Sequence, residues 1–200
     1  MINRISKENF DSAHLYNEML KIEDEVSLKF LEGLKWMDNN VDAVVIGGTA
    51  VCHYLQSRSL TPDIDFITDE IDKIKNLLDR DDVNYTALAS NWGNPLGIHI
   101  PSFEIDILDS DSGNKELNNY IIHKGFLNRM IAGYNIKVAS PEAMCLMKFN
   151  TGGRLKDEMD AFALLQSGVL NKTTYLNIIS DLFSSLNEAD ILKRYAGIIK

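Results

Sequence analysis

Three aspartates at strand-like positions are the residues of this chain best suited to chemistry. Asp63 and Asp65 are separated by one apolar residue, and Asp106 follows in a second alternating segment. Residues i and i+2 of a strand share one face, roughly 6.5–7 Å apart along it. Carboxylates so close repel one another unless a cation or a proton lies between them, and carboxylate oxygen is a ligand that Mg²⁺ prefers. The spacing therefore predicts a divalent-metal site.

The alternative, a solvent-facing strand edge that carries charges, fits less well because the residues around the first pair are strongly apolar (Ile64, Phe66 and Ile67). The third acid is open between Glu104 and Asp106, which share one face of the expected strand. We favour Asp106, because the residues after it become more apolar, as in a strand that enters a core. Glu104 is then a neighbour that tunes the site or a charge at its rim. Two metals held by three carboxylates suit phosphoryl transfer.

A double glycine precedes these acids. Gly47 and Gly48 follow an apolar run and lead into a helix-like segment that starts at Thr49. Glycine lets the backbone approach a ligand closely, and the free N–H groups of a helix N-terminus favour an anion. A Gly-Gly pair alone more often marks a tight strand-to-helix turn without a ligand, and no Lys-Ser or Lys-Thr follows at P-loop spacing. Beside a carboxylate pair, the turn indicates a phosphate site.

Three cations are candidates for contacts with phosphate. Lys148 lies among apolar residues of a helical segment, which is an unusual place for a charge. It either reaches a triphosphate or extends its ammonium group to the surface, and the sequence leaves both alternatives open. Arg58 and Lys156 are second choices.

Other polar residues are interpreted as structural. Asp157 and Asp160 are expected to form helix-surface or interhelical ion pairs with Lys156 and Arg154. The histidines are scattered without zinc spacing, so each is more simply explained by packing (His14, His53, His99 and His123).

The rest of the sequence supplies the elements that must position these residues. Alternation and apolar runs predict strands at 41–46, 63–67, 83–89, 96–100 and 103–108, and a hairpin or bent strand at 130–138. Helical spacing predicts two helices within 1–40 and others at 49–57, 70–80, 140–151, 154–166, 173–186 and 188–198. We therefore expect an α/β (α+β) domain over residues 1–139, including the N-terminal helices, and a helical region over 140–200.

Composition and charge limit the classes of function. The formal net charge is −9 and no long basic stripe is present, which argues against a stable nucleic-acid complex because phosphate contacts dominate that affinity. No apolar run approaches the length needed to cross a bilayer, and the first residues lack a signal-peptide core. Cys52 and Cys145 stand singly in apolar surroundings, so neither a disulfide framework nor a zinc cluster is expected. We predict a cytoplasmic, reduced protein with no membrane partner.

Taken together, the motifs resemble the nucleotidyltransferase superfamily. They are Gly47-Gly48-Thr49-Ala50, then Arg58 with Thr61-Pro62-Asp63-Ile64-Asp65, then Ile105-Asp106-Ile107. The chain is most similar to the abortive-infection (AbiEii-like) branch, which includes toxins of bacterial toxin–antitoxin pairs. That branch also shows a later helical segment with lysine, arginine and Lys-Asp, here Lys148 followed by Arg154-Leu155-Lys156-Asp157. The resemblance covers roughly residues 41 to 165.

The resemblance implies a role for each motif. The Gly47-Gly48-Thr49 turn would hold the β- and γ-phosphates of a nucleoside triphosphate (NTP) such as ATP. Asp63 and Asp65 would bind Mg²⁺ or Mn²⁺. Asp106 would bind a second metal and help deprotonate an acceptor hydroxyl, which attacks the α-phosphorus in line and releases pyrophosphate.

The resemblance also implies a nucleotidyltransferase-like mixed sheet with flanking helices, and after it a helical C-terminal part. The nucleoside monophosphate would move to a hydroxyl on RNA, protein or a small molecule, and the acceptor is unknown. An antitoxin protein is a candidate partner. Two alternatives stay open: a catalytically silent nucleotide-binding protein on the same fold, and a structural protein that assembles through its helical tail.

Overall fold

One mixed sheet and the helices around it form the part of the chain that the computed structural model describes, residues 24–55, 61, 63–90, 93–131, 133–151, 154–183 and 186–196. The predicted first helix, His14, Arg58 and Pro62 lie outside these residues.

The described residues contain seven strands and eight helices. The strands are β1 Val44–Val45, β2 Ile64–Thr68, β3 Thr86–Ala89, β4 Pro95–Ile100, β5 Ile105–Asp109, β6 Phe126–Ile131 and β7 Tyr134–Ala139. The helices are α1 Asp24–Asn40, α2 Gly47–Tyr54, α3 Ile71–Arg80, α4 Lys115–His123, α5 Pro141–Asn150, α6 Leu155–Ser167, α7 Lys172–Leu182 and α8 Leu186–Ala196. None of these helices has the length and apolar character needed to cross a membrane.

The strands form a single sheet in the order β3-β4-β5-β2-β1-β7-β6. β2 is parallel to β5, and β1 is parallel to β7, whereas the other neighbours are antiparallel. β2 is therefore central, and its apolar residues Ile64, Phe66 and Ile67 are buried. The expected α/β fold with a mixed sheet and flanking helices is confirmed.

The helical segment after residue 140 packs on the α/β part. The Ser140 hydroxyl accepts the N–H of Ala143 and Pro141 occupies the first turn of α5, as the sequence predicts. α5 contacts α2 and α4 of the α/β part as well as α6 and α7. Tyr195 of α8 stacks on Phe149 of α5, with ring centroids 4.3 Å apart. The C-terminal helices thus pack on α5, which in turn contacts helices of the α/β part.

α4 is an element that the sequence reading did not assign. Asn114 caps it, since its side chain accepts the N–H of Leu117. Leu117, Ile121 and Ile122 are buried at helical spacing. The sequence signal for this helix was therefore a capping residue followed by apolar residues at positions i, i+4 and i+5. β5 and α4 are joined by a short turn, residues 110–114, which borders the site described below.

Candidate functional site

Three carboxylates meet at the start of the two central parallel strands. Asp63 lies in the bend before β2, Asp65 lies on β2, and Asp106 lies on β5. The register of the parallel pair sets Asp65 opposite Asp106. One carboxylate oxygen from each of the three residues lies within 4.8 Å of the other two. The structure therefore brings together the three acids that the sequence singled out.

Glu104 lies apart from this group. β5 begins at Ile105, and Glu104 belongs to the preceding turn with φ of +52°, so the expectation that Glu104 and Asp106 share a strand face is wrong. The Glu104 carboxylate accepts a hydrogen bond from Lys29 Nζ at 3.3 Å. Of the two candidate third acids, Asp106 is the one that lies with Asp63 and Asp65.

The glycine turn is packed against the acids. Gly47 has φ of +65°, and a Cβ built on it would lie 1.8 Å from Oδ2 of Asp65, so only glycine fits there. A Cβ on Gly48 would lie 2.7 Å from Cγ2 of Thr61. The N–H of Ile46 donates to the carbonyl of Asp65 at 2.8 Å. The turn and the β2 acid therefore form one tightly packed unit.

The first turn of α2 places beside these carboxylates backbone N–H groups that have no carbonyl partner within the helix. Ala50 is the first residue of the helix whose N–H reaches back to a helical carbonyl, that of Ile46. The Thr49 side chain is buried and its hydroxyl donates to the carbonyl of Asp63 at 3.3 Å. Thr61 donates to the same carbonyl at 3.1 Å. Thr49 thus fixes the backbone of Asp63, and any contact that it makes with an anion would use its backbone N–H.

Burial and crowding perturb Asp65. Burial, followed by the charges of Asp63 and Asp106, raises the pKa of Asp65 from 3.8 to about 6. The charge of Lys148 and a hydrogen bond from the Gly48 N–H act in the opposite direction. An ionised Asp65 therefore lacks full compensation from the protein's own groups, which is the condition under which a cation is bound.

We expect Asp65 to make the metal-free protein less stable as the pH rises. Its pKa is higher in the folded than in the unfolded state, so its stabilising effect is complete below about pH 4 and is lost as the pH rises through about 6. The shift from 3.8 to about 6 corresponds to about 3 kcal/mol. Urea unfolding in EDTA at pH 4, 6 and 8 measures this. The free energy of unfolding of Asp65→Asn should increase relative to that of the wild type as the pH rises. A difference that does not depend on pH would contradict the raised pKa of Asp65.

His99 is a site neighbour that the sequence reading missed. β4 pairs with β5 so that His99 lies opposite Asp106. Its Nδ1 lies 2.6 Å from Oδ1 of Asp106. The interpretation of His99 as a packing residue is therefore incomplete. Only the register between β4 and β5 reveals the contact, and register is not readable from two short alternating segments.

A cavity of about 400 Å³ opens beside Gly47 and Asp65. Its apolar lining residues come mainly from β4, β5, α4 and α5, and its polar lining residues come from β2, the 112–114 turn, α4, the end of α5 and the start of α6. The lining residues are Ile46, Gly47, Asp65, Leu96, Leu108, Ser112, Gly113, Asn114, Leu117, Asn118, Met144, Met147, Lys148, Asn150, Thr151 and Arg154. The cavity is thus apolar with a few convergent polar groups, as ligand sites commonly are.

Lys148 joins this cavity to a buried ion pair. Its side chain is only 7% exposed, and Nζ lies 2.6 Å from Oδ1 of Asp157 and 3.5 Å from Oδ2 of Asp160. The surface alternative for Lys148 is therefore wrong. Burial raises the pKa of Asp157, but the hydrogen bonds from Lys148 and Arg154 outweigh it and hold that pKa below its usual value. The lysine thus lies between an acidic pair and the cavity.

The other basic residues considered in the sequence are Arg154, Lys156 and Arg58, and the two that the structure describes do not share one location. Arg154 donates from Nε to Oδ2 of Asp157 at 2.5 Å and lines the cavity, although the sequence reading gave it only a structural role. Lys156 is exposed on α6 and is not among the residues that line the cavity. Within the described ranges Asp157 pairs with Lys148 and Arg154, so the expected pairing with Lys156 is wrong. Arg58 lies outside the described residues.

The donor set fits a hard divalent cation. Three carboxylates offer oxygen atoms from neighbouring strands and a fixed bend, and oxygen ligands are those that Mg²⁺ and Mn²⁺ favour. Gly47 leaves room for the Asp65 carboxylate at the base of the group. The raised pKa of Asp65 shows that the protein alone does not neutralise the cluster. The residues present therefore fit Mg²⁺ or Mn²⁺.

Comparisons with known proteins give matches in solved structures alone. Neither protein-family models nor curated protein sequences match the chain significantly. The crystal structure of an antigenic nucleotidyltransferase-like protein from Paracoccidioides brasiliensis is 20% identical with a TM-score of 0.47, over 86% of this chain and 93% of that chain. The solution structure of the antibiotic-resistance factor ANT(2'')-Ia is 14% identical with a TM-score of 0.43, over 86% and 92%. Likeness at this level assigns neither an activity nor a substrate, which have to be inferred from the side chains.

Proposed function

We propose that this protein is a divalent-metal-dependent nucleotidyltransferase, which moves a nucleoside monophosphate from an NTP to an acceptor hydroxyl. One observation carries the proposal: Asp63, Asp65 and Asp106 place carboxylate oxygens within 4.8 Å of one another, and Asp65 also packs against the Gly47 turn. Metal ligands and backbone phosphate donors are the two components that such a transfer needs in one place.

The donor nucleotide would occupy the cavity. Its volume of about 400 Å³ lies within the range of small-molecule sites. The wall of Leu96, Leu108 and Met144 suits a nucleoside, which has apolar faces. Lys148 and Arg154 also line the cavity, and the charge of Lys148 acts on Asp65. Both cations would face the triphosphate together with the N–H groups of the α2 turn. In this proposal the phosphates lie toward the acids and the base lies away from them.

The acids have separate tasks in this proposal. Asp63, Asp65 and Asp106 would hold Mg²⁺ or Mn²⁺, and the bound metal supplies positive charge that stabilises the transferring phosphoryl group. Asp106 would also take the proton of the acceptor hydroxyl. That oxygen then attacks the α-phosphorus, and the bond to the β-phosphate oxygen breaks to release pyrophosphate. Water exclusion by the apolar wall would limit hydrolysis of the NTP.

Several finer points rest on the resemblance of the motifs and belong to the proposal. They are a role as a toxin, an antitoxin protein as partner, and an acceptor on RNA, protein or a small molecule. The silent nucleotide-binding protein is the competing function, because it needs the same cavity and the same acids.

Transfer of label from the α-phosphate is the direct test. The purified protein is incubated with a cell extract, Mg²⁺ and each of four NTPs labelled at the α- or the γ-phosphate. We expect an acceptor labelled from the α-phosphate alone, with γ-label released as pyrophosphate and no transfer in EDTA. Acceptor labelled from the γ-phosphate would contradict the reaction. Metal-dependent binding of NTP, measured by thermal shift, without transfer to any acceptor would favour the silent alternative.

A further inference from the structure

We propose that His99 is a positioning residue which fixes the third acid of the site, an inference that depends on the function proposed above. The imidazole would hold one oxygen of the Asp106 carboxylate and so present the other toward Asp63 and Asp65. A carboxylate that binds metal is ionised and has no hydrogen to donate, so Asp106 would be the acceptor. In this proposal the Nδ1–H of His99 therefore donates the hydrogen bond.

The backbone sets this contact. His99 and Asp106 are directly opposed residues of the antiparallel pair β4–β5, and opposed side chains of such a pair lie on one face. Ile98 and Ile100, the neighbours of His99, are buried on the other face. Both polar side chains are therefore held at the edge of the site by the sheet. The distance of 2.6 Å between His99 Nδ1 and Asp106 Oδ1 is that of a charge-assisted hydrogen bond.

Each of the three acids is held by a different group. The Gly48 N–H donates to the Asp65 carboxylate, and the hydroxyls of Thr49 and Thr61 hold the backbone carbonyl of Asp63. In the part of the chain that the structure describes, His99 is the side chain that hydrogen-bonds the Asp106 carboxylate.

Without that contact, repulsion from the other two carboxylates would turn Asp106 toward solvent, since its side chain is 27% exposed. Hydrogen-bonding partners of ligating carboxylates commonly set metal affinity, and their loss costs about 10–100-fold. His99 therefore acts on metal affinity without touching the metal.

Mn²⁺ binding, followed by the electron paramagnetic resonance signal of free Mn²⁺, tests this role. His99→Phe keeps an aromatic ring and removes the donor, whereas His99→Asn keeps an N–H near the position of Nδ1. We expect the first to raise the Mn²⁺ dissociation constant about 10-fold or more and the second to stay within about threefold of wild type. His123→Phe is the matched control. His123 lies on α4, and it pairs with Asp69 at 3.4 Å rather than with one of the three acids.

The outcomes separate this inference from the proposed function. If Asp65→Asn weakens Mn²⁺ binding and His99→Phe does not, the metal site stands and the positioning role is overturned. If Asp65→Asn leaves Mn²⁺ affinity unchanged, the metal site itself is misassigned and both proposals fail. A His99→Asn protein as weak as His99→Phe would also overturn the role of the Nδ1 donor. Circular dichroism and thermal unfolding in EDTA verify that each variant is folded.

Discussion

Replacing Asp106 with asparagine should lower the rate of nucleotidyl transfer by about 10³-fold or more, equivalent to about 4 kcal/mol of transition-state stabilisation. Asparagine has nearly the same shape, so the sheet and the His99 neighbour stay in place while one negative charge of the metal site is lost. Asp65→Asn should cause a loss of similar size. Because the acids act as one unit, the double variant should be little worse than either single variant. Initial rates with α-labelled NTP at saturating Mg²⁺ measure the effect.

Glu104→Gln is the matched control for that experiment. Glu104 precedes the same strand and carries the same charge, but it pairs with Lys29 rather than with the acid cluster. Its replacement should leave the rate within about threefold of wild type, because Glu104 lies outside the acid cluster. The lost pair with Lys29 should cost only about 0–1 kcal/mol of stability. Equal losses for Glu104→Gln and Asp106→Asn would show that general negative charge at this edge matters, and not the group of three.

Replacing Lys148 with methionine should destabilise the folded protein by about 3–5 kcal/mol at neutral pH. Methionine fills similar space but leaves Asp157 and Asp160, both nearly fully buried, without their buried cation. Asp157 is held below its usual pKa by Lys148 and Arg154, so its contribution to stability is present at neutral pH and is lost as the pH falls through its folded-state pKa. The loss in the variant should therefore shrink in acid. Urea unfolding from pH 4 to 8 measures it.

Two further variants isolate the buried pair from other effects of the substitution. Adding Asp157→Asn to Lys148→Met removes one of the two carboxylate charges that have lost the lysine and should recover part of the stability. Lys156→Met, on the exposed surface of α6, should change stability by less than about 0.5 kcal/mol. Equal losses for the two lysine variants would mean that Lys148 is not held as the structure describes.

The sequence carried enough information for most of the elements, although not for α4, and it did not carry enough for the pairing of the strands. Apolar alternation predicted the strands that became β2, β4 and β5, and the Ser140-Pro141 cap predicted the start of α5. Glu104 was placed on a strand because its neighbours alternate, whereas the chain turns there with a positive φ. Alternation in a sequence does not state where a strand begins, and a shift of one residue moves a side chain out of the site.

Residue types predicted the acids, whereas tertiary contacts decided the rest of the site. Asp63 and Asp65 stood out by their spacing, and Asp106 stood out from Glu104 by the apolar residues that follow it. His99 and Arg154 did not, because each gains its place from a partner strand or a neighbouring helix. Lys148 was recognised as unusual for its apolar surroundings, but its buried partners could be identified only once α5 and α6 were packed together.

The close packing of Gly47 on Asp65 has a consequence for how much the protein must rearrange when a ligand arrives. The carboxylate fills the space that a side chain at position 47 would take, and the Gly48 N–H holds it there. It has little freedom to adopt another rotamer toward the helix. A metal-binding side chain that is mobile would lose conformational entropy when the metal binds, whereas the Asp65 side chain has already lost it during folding. The site is therefore preorganised where Asp65 contacts Gly47.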